Sequence, residues 1–130
     1  MGPIANPNPP KGFAHPVEAE FARLLSYYGI TWQYEPRTFP LATDEDGNVL
    51  EAITPDFYLP GHDLFIELTT LRHALAGLKY RKIRRMRRLY PGVSIKLIDR
   101  KQMIALLIKY GMEADVPNLI GNPDPPDAAR

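Results

Sequence analysis

Apolar positions first recur at helical spacing between residues 16 and 28, where Val17, Phe21, Leu24, Leu25 and Tyr28 form one stripe. Pro16 suits the first turn of such a helix and Gly29 its stop. The period then drops to two. Residues 30–41 alternate like a strand, with Pro36 and Pro40 assigning it to a sheet edge. Asp44-Glu45-Asp46-Gly47-Asn48 reads as a turn, and strand character resumes over 49–59. Pro60-Gly61-His62-Asp63 is a second turn, followed by a strand over 64–69. The pattern then predicts a basic helix over 71–90 that stops before Pro91-Gly92, and a strand over 93–98. Asp99 with Gln102 three residues on resembles a capping box, opening a last helix that ends near Gly111. The order α-β-β-β-α-β-α predicts a mixed α/β domain with a central sheet flanked by helices.

The turn at 60–63 fixes a register. A two-residue type II′ loop centred on Gly61 and His62 pairs 59 with 64, 58 with 65, 57 with 66 and 56 with 67. Asp56 and Glu67 then lie opposite one another on one face, with Cβ atoms about 5 Å apart. Carboxylates that close repel unless a proton or a cation lies between them, and a hard divalent cation is the natural resident. Phe57, Leu59, Leu64, Ile66 and Leu68 point to the other face, so the hairpin is expected to bury one side and offer acid chemistry on the other. A slip of one residue would undo the pairing and leave both as strand-end carboxylates in solvent.

The basic helix carries seven cations between Lys79 and Arg88. At ~100° per residue, Leu75, Leu78, Met86 and Leu89 define an inward stripe that also contains Lys79 and Lys82, with Arg72 at its edge. Arg81, Arg84, Arg87 and Arg88 point away and Arg85 lies beside the boundary. An ammonium on an inward stripe is costly unless paired, so if this helix packs beside the carboxylates one of the two lysines can reach them. The outward arginines suit phosphate contacts. Lysine stems lying along apolar surface, and a solvated charged face, would explain the same pattern without chemistry.

Other candidates are weaker. Glu18 and Glu20 flank the first helix's stripe on opposite sides, so at most one can approach a given site, and Glu18 occupies the third helical position, where a glutamate serves the cap. His15, His62 and His73 show no metal-ligand spacing. Glu35 in Tyr34-Glu35-Pro36 is a candidate strand carboxylate near the site, although nothing in the spacing ties it to the pair. The 44–48 turn lacks the closing glutamate of a calcium loop, because position 55 is proline.

Composition narrows the picture. The 130 residues, 45% hydrophobic and 24% charged, suit one globular domain. The absence of cysteine excludes disulfides and cysteine-ligated zinc. No apolar run approaches the roughly 20 residues of a membrane helix, and residues 1–11 lack the apolar core of a signal peptide; a cytoplasmic protein is expected. Prolines gather at both ends, so 1–14 and 113–130 are expected to be disordered tails around a domain at 15–112.

Thr54-Pro55-Asp56-Phe57-Tyr58-Leu59-Pro60 with Phe65-Ile66-Glu67-Leu68-Thr69 resembles the PD-(D/E)xK nuclease superfamily over roughly residues 16–111. The resemblance implies the restriction-endonuclease-like α-β-β-β-α-β core, with Asp56, Glu67 and the Leu68 carbonyl as ligands of Mg2+ or Mn2+. It matches the family's helix-one glutamate to Glu18. The family's lysine, two residues after the glutamate, is Thr69 here; in some members it has moved to the following helix, which points to Lys82 first and Lys79 second. The implied activity is phosphodiester hydrolysis of DNA or RNA, with Arg72, Arg81, Arg84, Arg85 and Arg88 on the nucleic acid and a homodimer where two strands are cut. A closer resemblance is to small bacterial proteins with the same Ile-Glu-Leu-Thr-Thr variant, some linked to a purine phosphoribosyltransferase. The loss of the lysine at Thr69 equally fits an inactive nucleic-acid-binding or regulatory module on the same scaffold; a protein-interaction domain is the third reading.

Overall fold

The structure is a computed structural model and describes residues 2–69 and 77–109. It is a mixed α/β fold: β1 (Ile4–Ala5), α1 (Pro16–Tyr27), β2 (Gln33–Tyr34), β3 (Arg37–Thr43), β4 (Val49–Ile53), β5 (Phe57–Leu59), β6 (Leu64–Thr69), α2 (Gly77–Leu89), β7 (Ser94–Asp99) and α3 (Arg100–Lys109). One sheet has the order β1-β3-β4, the other β2-β5-β6-β7. All pairs are antiparallel except β6 with β7, which run parallel and have α2 between them in sequence. No helix among the described residues is long and apolar enough to cross a membrane.

The first two expected strands are each broken in two, and the breaks lie side by side. Glu35 takes a left-handed φ of 47° immediately before Pro36, a residue that disfavours helical backbone before it and offers no N–H to a ladder. Pro55 interrupts the opposing strand in the same way. The long hairpin therefore passes from one sheet to the other at this corner, where Glu35 N–H donates to the Asp56 carbonyl at 2.8 Å.

Alternation along β6 sends its side chains to two cores. Ile66 and Leu68 join Phe57, Leu59 and the α1 residues Val17, Phe21 and Leu25 on one face, closed by Met103 of α3. Phe65 joins Phe39, Leu41 and Ile53 of the other sheet with Ile83 and Met86 of α2. The capping box forms as expected: Gln102 N–H donates to Asp99 Oδ1 at 2.8 Å and Asp99 N–H to Gln102 Oε1 at 2.9 Å. The segment expected to be a loose N-terminal tail carries β1, paired with β3, and packs Phe13 against Tyr34 with ring centroids 4.7 Å apart. The expected tail at 113–130 lies outside the described residues.

Two expectations about geometry are corrected. The turn after β5 is a 3-10 turn, Pro60–His62, closed by Asp63 at a left-handed φ of 47°, not a type II′ loop. A four-residue loop keeps the same pairing, so Leu59 still faces Leu64 and Phe57 still faces Ile66. The buried stripe of α2 consists of Ile83 and Met86, not Leu78 and Leu89, which are 57% and 37% exposed.

Candidate functional site

Asp56 sits at the corner between β4 and β5, held by the two proline-driven breaks. Glu67 lies in β6 on the face shared with Phe65 and Thr69. They come together as the hairpin register requires: Asp56 N–H donates to Glu67 Oε1 at 3.1 Å, and Leu68 N–H donates to Asp56 Oδ2 at 2.8 Å. Each carboxylate thus has one oxygen oriented by a backbone N–H of the other strand. The acid face is not open to solvent, however. Asp56 and Glu67 are 7% and 6% exposed, because α2 roofs this side of the sheet.

The roof brings a cation. Lys79 Nζ lies 3.1 Å from Glu67 Oε2 and donates to the Leu68 carbonyl at 2.7 Å. Lys82, the first choice from sequence, is elsewhere: its Nζ donates to the Ala52 carbonyl at 2.9 Å. They lie three positions apart, enough to aim one lysine at β6 and the other at β4.

Burial and then the Glu67 charge push the Asp56 carboxyl well above the usual carboxylate range, with the charge of Glu18 adding to the effect and the Leu68 N–H opposing it. Burial likewise raises Glu67 against the pull of Lys79. Two carboxylates removed from water beside one ammonium favour a proton or a further cation at the pair.

Glu18 is buried and near enough for its charge to bear on Asp56. Its Oε1 accepts from Ala14 N–H at 3.1 Å, one residue before the N-cap His15 that a capping box would engage, and from the Tyr34 hydroxyl. Glu20 turns away and pairs with Arg23. The sequence pattern does not single out Tyr34, and it offers Glu35 as a strand carboxylate near the site without a physical case for it. Tyr34 spans Glu18 and the Phe57 ring, and its hydroxyl is raised by burial and by the Glu18 hydrogen bond. Burial also raises Glu35. The only hint was the Tyr34-Glu35-Pro36 step, a proline break beside an acid.

The arginines divide. Arg81 pairs with Glu51, Arg85 Nε donates to the Leu41 carbonyl at 2.8 Å, and Arg87 donates to the Ile95 carbonyl at 2.9 Å. Arg84 and Arg88 are exposed and, among the described residues, make no such contact. Arg72, Leu75 and His73 lie outside the described residues.

Among the described residues no three His, Cys, Asp or Glu side chains converge as a metal-holding group. The available donors are two carboxylates and one carbonyl, all hard oxygens. That set is too small to enclose Ca2+ but fits Mg2+, which is commonly held by one or two carboxylates with water and substrate oxygens completing its shell. Comparison with protein-family models, with curated proteins and with solved structures found no match to this chain.

Proposed function

We propose that this chain is a Mg2+- or Mn2+-dependent phosphodiesterase acting on DNA or RNA, built on a restriction-endonuclease-like core. The observation that carries the reading is the coordination of Lys79 Nζ by Glu67 Oε2 at 3.1 Å and the Leu68 carbonyl at 2.7 Å, beside buried Asp56. These oxygens already hold a cation, and their donor chemistry suits a divalent one. Asp56, Glu67 and the Leu68 carbonyl would hold the ion, each carboxylate pre-oriented by a backbone N–H. A bound Mg2+ would supply Lewis-acid polarisation of the scissile phosphate and a lowered pKa for the attacking water.

The remaining steps belong to side chains. Lys79 donates to phosphate oxygens as charge gathers on them, where a positioned donor is strongest in a water-poor site. Glu18 acts through Asp56 as a positioning residue, since its Oε1 is taken by Ala14 N–H and Tyr34. Arg84 and Arg88 neutralise backbone phosphates, which gives salt-sensitive affinity with little sequence preference.

The test is cleavage of labelled single- and double-stranded DNA and RNA with Mg2+ or Mn2+. Wild type is expected to cut at least one substrate, and Asp56→Asn and Glu67→Gln to cut none while remaining folded by circular dichroism. One observation favours a second reading: Thr69 replaces the motif lysine, and the cation position is filled from within the chain. An inactive nucleic-acid-binding module would look the same. It predicts no cleavage of any substrate and salt-sensitive binding unchanged by chelator.

A further inference from the structure

Lys79 does more than neutralise a carboxylate. It bonds to Glu67 Oε2 and the Leu68 carbonyl, two of the three groups that would hold a divalent ion. An ammonium and a divalent ion cannot share those oxygens, because like charges a few ångströms apart repel strongly where water is scarce. The geometry also provides an exit. The Glu67 side chain is 7% exposed, whereas that of Lys79 is 32% exposed, so the lysine enters from the solvent side and can withdraw along the same path. Lys82 cannot replace it while its Nζ caps the Ala52 carbonyl at 2.9 Å.

We propose that Lys79 is a built-in competitor of the divalent cation: the ion binds only as Nζ leaves Glu67 and the Leu68 carbonyl, so Lys79 sets cation affinity. The displaced ammonium then stands at the mouth of the site, where an anionic substrate enters. Loading the cation and freeing the lysine become one event, and the buried carboxylates always face a positive charge. This inference rests on the metal-dependent reading above, and its test separates the two.

The first measurement is Mn2+ binding to the full chain, wild type against Lys79→Met, followed by the electron paramagnetic resonance signal of free Mn2+. Removing a charged hydrogen-bonded competitor should tighten binding about tenfold or more. The second uses wild type alone and so does not depend on a variant folding. Lysine acetylation rates, read by mass spectrometry with and without saturating Mg2+, should rise several-fold at Lys79 and stay constant at Lys82. Equal or weaker Mn2+ affinity in Lys79→Met, or an unchanged Lys79 acetylation rate with Mg2+ bound, overturns the competition and leaves the metal-dependent reading standing. If neither chain binds Mn2+ at millimolar concentration, the metal-dependent reading fails and the competition with it.

Discussion

The two faces of the β2-β5-β6-β7 sheet are covered by helices that hold on by different means. On one face α1 buries Val17, Phe21, Ala22, Leu24 and Leu25 against Phe57, Ile66 and Leu68. On the other, α2 buries two apolar residues within its span, Ile83 and Met86. It is anchored instead by side-chain donors on backbone carbonyls: Lys79 on Leu68, Lys82 on Ala52, Arg85 on Leu41 and Arg87 on Ile95. Apolar packing is non-directional, so the α1 face chiefly supports, although α1 also carries buried Glu18, whose charge bears on Asp56. A polar attachment can exchange partners, and the one face built that way is the face that holds Asp56 and Glu67.

Two of the carbonyls that anchor α2 follow from the irregular pairing of β3 with β4. Pro40 has no N–H to give to Ala52, its register partner, and Lys82 caps that carbonyl; Leu41 is skipped by the register shift between Pro40 and Ala42, and Arg85 caps it. Much of the basic helix thus serves the scaffold. Lys79 differs because its carbonyl sits next to a buried carboxylate.

The comparison is broken most severely on the α1 side. Phe57→Ala removes a ring with no exposure at the meeting point of α1 and the aromatic cluster; it should cost about 3–5 kcal/mol, read from urea unfolding at neutral pH. A loss below about 1 kcal/mol would mean that the α1 face is not the structural one.

A smaller effect, opposite in sign, is expected across the sheet. Burial raises the folded-state carboxyl of Asp56 to about 8, above an unfolded value of about 3.9. Between those limits the folded chain keeps a proton that the unfolded chain releases, so stability falls as pH rises and the loss is complete above about 8. Asp56→Asn retains an oxygen for Leu68 N–H and removes the charge. In chelator at pH 9 its Tm should exceed that of wild type, by about 4–8 °C for each kcal/mol recovered; at pH 4 the difference should vanish. A lower Tm at pH 9 would show that Lys79 fully satisfies the pair.

The smallest change concerns the surface. Arg84→Ala and Arg88→Ala should leave stability within about 0.5 kcal/mol of wild type. Each should reduce the slope of log affinity for nucleic acid against log salt by about 1. An unchanged slope would remove this face of α2 from the binding surface.

What could be read from sequence divides along the same line. Strand alternation is a local signal, and it placed Asp56 beside Glu67 even though the turn was of another type, because a two-residue and a four-residue loop about the same centre give the same pairing. The capping box at Asp99 and Gln102 is local as well. The inward stripe of α2 contains Met86, Lys79 and Lys82 as expected, but Leu78 and Leu89 are exposed, Ile83 is buried in their place, and Arg85 reaches inward to the Leu41 carbonyl. The Ala52 and Leu41 carbonyls are left over only because Pro40 lacks an N–H and the β3–β4 register shifts beside it. The choice of lysine could not be made from period alone, since Lys79 and Lys82 share the stripe and differ only in which strand lies beneath them. Tyr34 and Glu35 reach the site through the same corner.

The most direct test of the account is the cleavage rate of Lys79→Met beside that of Lys82→Met, with Mg2+ and the best substrate of wild type. A loss of at least about 100-fold is expected at position 79, as for removal of a positioned electrostatic donor. Lys82→Met should retain most of the activity, with lower stability because the Ala52 carbonyl loses its partner. Loss of cleavage in Lys82→Met with full activity in Lys79→Met would contradict it.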